Sequence, residues 1–85
     1  MTNTIPEIIK IYLKQEGFAL TEMMRELEKQ GVFISYRTLT NWNMGETIPY
    51  KNALNGWLQI STGWAHQMFK EMYDLLTKDD KQEKI

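Results

Sequence analysis

The chain contains no cysteine. Disulfides, thiol nucleophiles and the usual zinc-finger ligand sets are therefore excluded, and the absence suits a reducing compartment. Histidine occurs once, at His66, with Thr62 and Lys70 four residues to either side. A lone imidazole without a neighbouring carboxylate, and with a cation one turn away, makes a poor metal site. No nucleophile–base pair and no phosphate-cradling glycine loop can be found. The five glycines stand apart from one another and read as helix stops or spacers. The expectation is a protein that is not an enzyme and uses no metal and no cofactor.

Long apolar runs are also missing. None approaches the ~20 residues that a membrane-crossing helix requires, so no membrane association is expected. The opening segment MTNTIPEIIK lacks the basic stretch followed by an apolar run that marks a signal peptide. A cytoplasmic location is the simplest expectation.

Charge is scarce where it would matter most. Residues 1–30 carry four Lys or Arg against five Glu, and residues 68–85 carry four Lys against five Asp or Glu. Between them, residues 31–67 hold only Arg37, Glu46 and Lys51. The net charge is −1, so the middle of the chain is polar without being charged, and solubility comes from the two ends.

What is present is enough for one small core. A chain of 85 residues forms a single domain that buries roughly 60–65% of its unfolded surface, with a margin of a few kcal/mol. Hydrophobic residues make up 42% of it, which suits a folded domain rather than a disordered segment. Thr4-Ile-Pro-Glu7 has the form of a capping box, with Pro6 in the tolerant first turn. Ile5, Ile8, Ile9, Tyr12 and Leu13 follow at helical spacing and Gly17 supplies a left-handed stop, which predicts a first helix over 5–16.

Thr21 is the expected cap of a second helix, which buries Leu20, Met23, Met24 and Leu27 and ends at Gly31. Val32-Phe33-Ile34 is too short for a further helix and is expected to plug the core; a strand reading of GVFISY lacks a partner strand. Ser35 caps a third helix over 36–44 that turns Leu39 and Trp42 inward, with Gly45 just beyond its end. A fourth helix begins near Tyr50 and buries Ala53, Leu54, Trp57 and Leu58. Ser61 or Thr62 caps a fifth, which carries Trp64, Ala65, Met68, Phe69, Met72, Leu75 and Leu76. The fold class expected is all-α, a compact five-helix domain over residues 1–78, followed by a frayed charged tail, 79–85.

One stretch carries a functional signal: SYRTLTNWNMGETIP, from Ser35 to Pro49. Its pattern, S-x-x-T-[LIV]-x-x-W followed by x-x-G-x-x-x-P, resembles the phage-repressor/Cro type (lambda-repressor-like) of helix-turn-helix DNA-binding domain. In that family the aliphatic residue and the Trp pack inward, the Gly ends the recognition helix and the Pro leads into helix four; Leu39, Trp42, Gly45 and Pro49 stand at those places. LTEMMRELEKQG is similar to the family's supporting helix two. The connection EKQGVFIS is about three residues longer than the family's, and L-x-x-x-G-x-x-[VI]-S-x-x-T-[VL] is similar instead to helix-turn-helices of transposases and recombinases. Glu22 stands nearest the place where the family often has a Gln that braces the recognition helix against a phosphate.

The resemblance implies a sequence-specific binder of double-stranded DNA, a small prokaryotic or phage or plasmid transcriptional regulator that acts as a dimer. Helical periodicity turns Arg37, Thr38, Asn41 and Met44 outward, with Tyr36 and Thr40 on the flanks. Arg suits the guanine edge, Asn the adenine edge, and Thr either edge or a thymine methyl, so the candidate base contacts are Tyr36, Arg37, Thr38, Thr40 and Asn41. Candidate phosphate contacts are Thr21, Ser35, Asn43, Tyr50, Lys51 and Asn52, together with backbone N–H groups at the starts of helices two and four. So few central cations imply weak non-specific affinity, which a homodimer on half-sites about 34 Å apart offsets. Phe69, Tyr73 and Leu76 are the candidate dimer interface, although every apolar residue of helix five could equally be core, as Arg37 could be an ordinary solvated arginine.

A rival reading keeps the scaffold and drops the DNA. A protein-interaction module on a helix-turn-helix scaffold (antitoxin-like, an anti-repressor, or a phage inhibitor of a host protein) would show the same helices. The sequence pI of about 5.8, the few central cations and Glu22 all suit it. Fold alone does not decide between the two.

Overall fold

Thr4 opens the first helix as its sequence predicts. Its hydroxyl accepts from the Glu7 N–H at 3.4 Å, and the Glu7 carboxylate accepts from the Thr4 N–H at 2.8 Å. The Thr4 hydroxyl also donates to that carboxylate at 3.0 Å, and the bonds it accepts from the Thr4 backbone N–H and hydroxyl hold the Glu7 carboxyl below its ordinary value. The computed structural model describes residues 4–83, with side chains as far as Lys78. Its elements in chain order are α1 (Ile5–Glu16), α2 (Leu20–Lys29), α3 (Tyr36–Met44), α4 (Lys51–Ile60) and α5 (Gly63–Glu83). All are helical and no strand occurs among the described residues, which makes the domain all-α.

The core forms from one face of each helix. Ile8, Ile9 and Tyr12 of α1, Met23 and Leu27 of α2, Leu39 and Trp42 of α3, Leu54 of α4, and Ala65, Met68, Phe69 and Met72 of α5 are all buried. Each large apolar side chain among them contributes roughly 1.5–3 kcal/mol relative to exposure. α1 packs on α3 and α5, α2 on α3, and α4 on α5. Tyr12 adds a polar tie across this core, its phenol donating to the Glu71 carboxylate and so joining α1 to α5. Among the described residues, no helix is long and apolar enough to cross a membrane.

Several local expectations are corrected. Helix two starts earlier than Thr21: Ala19 is its N-cap, and the Glu22 carboxylate accepts from the Ala19 N–H at 2.9 Å. Thr21 therefore lies inside the first turn. Phe33 does not plug the core. Residues 32–34 belong to no regular element, and their side chains part ways: Val32 and Ile34 are buried while Phe33 is 74% exposed. Neither Ser61 nor Thr62 caps α5 through its hydroxyl. The Ser61 Oγ is buried without a hydrogen-bond partner among the described residues, and the Thr62 N–H donates to the Gln30 side chain at 2.8 Å. α5 continues past residue 78 to Glu83, so the tail expected at 79–85 is helical backbone as far as it is described; residues 84–85 lie outside the described residues.

Candidate nucleic-acid interface

α3 is short, and both its ends are secured locally. The Ser35 hydroxyl accepts from the Thr38 N–H at 3.1 Å and donates to the Thr38 hydroxyl at 2.9 Å. At the other end Gly45 takes φ 79°, a left-handed conformation that L side chains adopt only at a cost, and its N–H donates to the Trp42 carbonyl at 3.1 Å. The Glu46 N–H then donates to the Asn41 carbonyl at 2.9 Å. Leu39 and Trp42 anchor the helix from below, both buried.

Above that anchor, Tyr36, Arg37 and Thr38 are exposed and Asn41 is half-buried. These four candidate base-reading residues share the outward side of α3. Thr40 does not join them: its hydroxyl oxygen is buried, with no hydrogen-bond partner among the described residues. Position 40 lies on a flank of α3, about 100° round from Leu39, and the burial of its oxygen withdraws that polar atom from any duplex.

The candidate phosphate contacts divide in the same way. At the start of α2 the Glu22 carboxylate already occupies the Ala19 N–H, and Thr21 is half-buried within the turn. A carboxylate there repels a phosphate and takes up the donor it would use. The start of α4 is different. Tyr50, its N-cap, supplies no side-chain cap and is 82% exposed. Lys51 and exposed Asn52 follow directly. Ser35 is exposed but its hydroxyl is engaged by Thr38. Asn43 is half-buried, and its Oδ1 is enclosed without a partner among the described residues.

Of the three residues expected at a dimer interface, Phe69 is corrected. It is 0% exposed and its ring lies 5.3 Å from that of Trp57, so it has no surface to offer a second copy. Tyr73 and Leu76 are half-buried and pack against the core. The wide apolar stripe of α5 is taken up within the chain, because α1 and α4 both lie on it. His66 is also structural, its Nδ1–H donating to the Leu58 carbonyl at 3.1 Å. No group of three or more His, Asp or Glu that could hold a metal occurs among the described residues.

Two features lie beyond the sequence reading. The first is a cleft of about 420 Å³ between α3 and α4. Thr38, Asn41 and Trp42 line one wall, Thr47, Ile48, Pro49 and Tyr50 form the rim, and Ala53 and Trp57 complete the α4 side. The spacing and angle of the two helices create it, and no local pattern announces that. The second is the density of exposed apolar side chains around α3, namely Phe33, Tyr36, Met44, Ile48 and Tyr50. Helical spacing already turns Tyr36 and Met44 outward; Phe33, Ile48 and Tyr50 lie in the connections on either side of α3, where no helical period applies.

No protein-family model, curated protein or solved structure matches the chain.

Proposed function

We propose that the protein is a sequence-specific binder of double-stranded DNA, a small regulator whose α2 and α3 act as a helix-turn-helix with α3 in the major groove. One observation carries this reading. A helix held rigidly at both ends, and from beneath by Leu39 and Trp42, turns Arg37 and Thr38 to solvent with Asn41 one turn on. Such a helix offers forked hydrogen-bonding groups suited to base edges rather than bulk charge. Its N-terminal residues lead, as they do in a recognition helix. The start of α4, where Tyr50 adds no side-chain cap hydrogen bond and Lys51 brings a cation, is the phosphate-binding end that Glu22 denies to α2. Two central cations per chain make a second copy on a palindromic site the natural source of affinity.

Selection from a random duplex library with the purified protein tests the reading. An enriched motif, palindromic if the protein binds as a dimer, is expected. No enrichment, or a motif bound equally well by Arg37→Ala, refutes it.

A second reading is favoured by a different observation. Phe33 at 74% and Tyr50 at 82% exposed flank α3 as large apolar surfaces that phosphates do not reward. On this reading the same face grips a protein partner. Retention on heparin or mixed-sequence DNA at low salt separates the two, because a DNA reader keeps some non-specific affinity.

A further inference from the structure

We propose that the cleft between α3 and α4 is a binding site for a single unstacked nucleobase, of the purine class. This goes beyond duplex reading and does not depend on it.

The cleft's chemistry selects the occupant. Its α4 side carries Trp57, half-buried, whose ring already packs on Trp42 and Phe69 and is held in place by them, so that the part of the indole lining the cleft forms a fixed aromatic wall for a flat ring. Tyr50 stands at the rim and is exposed enough to close from the other side. Stacking of this kind contributes roughly 1–3 kcal/mol per base. No charged residue lines the cleft, so the enclosed part of the ligand is neutral. A phosphate or carboxylate would find no counter-charge there.

The polar groups narrow the class further. Thr38, Asn41 and Thr47 all line the cleft, and all three are uncharged. The Asn41 side chain is half-buried and makes no hydrogen bond to another side chain or backbone group among the described residues. Its amide offers a donor beside an acceptor, the complement of the adenine N6/N7 edge. A purely apolar occupant, such as an aliphatic chain, would bury that amide unpaired at a cost. The volume of about 420 Å³ lies in the lower part of the ~300–1,000 Å³ range of small-molecule sites.

The base could arrive on a free nucleoside or as an unstacked base of a bound strand, and the test separates these sources. ¹⁵N-labelled full-length protein is titrated with adenosine, with ribose alone, and with single-stranded oligo-dA, while the Asn41 side-chain amide and the Trp57 indole N–H are followed by NMR. Saturable shifts of both signals with adenosine, and none with ribose, are expected. Shifts with oligo-dA only would assign the site to a base within a strand, which also supports the proposal.

Ala53→Leu fills the cleft without removing core and is expected to weaken the interaction at least tenfold. Tyr50→Ala, at an exposed position that cannot unfold the domain, weakens it severalfold. Asn41→Leu weakens it roughly tenfold, since the hydrogen-bonding edge is lost. The absence of shifts with every base-bearing probe on folded protein overturns the proposal, and so does unchanged binding in Tyr50→Ala and Asn41→Leu. Cyclohexanol binding that matches adenosine and ignores Asn41→Leu also overturns it, by marking a generic apolar cleft. Library selection reports on duplex reading separately, so the two ideas fail independently.

Discussion

Trp42 and Trp57 meet across the boundary of α3 and α4 with ring centroids 5.7 Å apart and planes inclined at 56°. Trp57 in turn lies 5.3 Å from Phe69, so three rings run in sequence from α3 through α4 into α5. α3, α4 and α5 are therefore held together by rings at their shared seam.

Removing the first ring should be severe. Trp42→Ala is expected to cost about 3–5 kcal/mol, comparable to the whole margin of a domain this size, so the variant should be largely unfolded by circular dichroism at 25 °C. Trp42→Phe keeps a ring at the seam and should remain folded with a lowered urea midpoint. A Trp42→Ala protein with a near-native midpoint would show that the ring series does not bear on stability.

Tyr12 gives a pH signature. Burial first, and then its hydrogen bond and charge interaction with Glu71, push the phenol from 10.0 up to about 12. A folded-state value above the unfolded one means that this stabilisation is fully present below pH 10 and is lost as pH rises from 10 towards 12. The stability difference between the native chain and Tyr12→Phe should be constant up to about pH 9.5. It should then shrink by about 1–2 kcal/mol on the way to pH 12, with solvent screening allowed for. Urea denaturation of both proteins across that range measures it, and a flat difference contradicts the assignment.

Gly45 and Gly17 form a matched pair. Both take left-handed φ, 79° and 72°, and a Cβ at Gly45 would lie 3.4 Å from Pro6 Cγ whereas one at Gly17 meets nothing within 4 Å. Contact at that distance is ordinary packing, so the backbone conformation dominates both sites. Gly45→Ala and Gly17→Ala should each lose about 1 kcal/mol, agreeing within a few tenths in urea denaturation. A much larger loss at Gly45 would mean that Pro6 cannot yield.

For the proposed DNA reading, Arg37→Ala should lower affinity for a selected site by about ten- to a hundredfold and relax the preference at one base pair. It should also reduce the slope of log K against log salt by about 1. Fluorescence anisotropy at several salt concentrations measures both. A change in slope without loss of base preference would make Arg37 a phosphate contact instead.

Much of the helical framework was legible because its signals are local. Thr4 with Glu7, Gly17, Ser35 and Gly45 satisfy orphan backbone groups within one turn of themselves, so α1 and α3 have the bounds their sequences predict. α2 was misplaced at its start because the Glu22 carboxylate takes the cap's own N–H, which any residue supplies and Ala19 does not advertise. At the candidate site, periodicity placed Arg37 and Thr38 outward correctly but could not tell which flank of α3 its neighbours would cover, and Thr40 fell on the covered side.

The sequence by itself determined the number of helices, where most of them begin and end, and which of their faces are apolar, since capping and the 3.6-residue period act over a few residues. Only the tertiary structure decided that Phe69 is enclosed while Phe33 stands in solvent, and that a cleft opens beside Asn41. Those outcomes depend on which helix lies across which, and that is settled by packing between residues far apart in the chain.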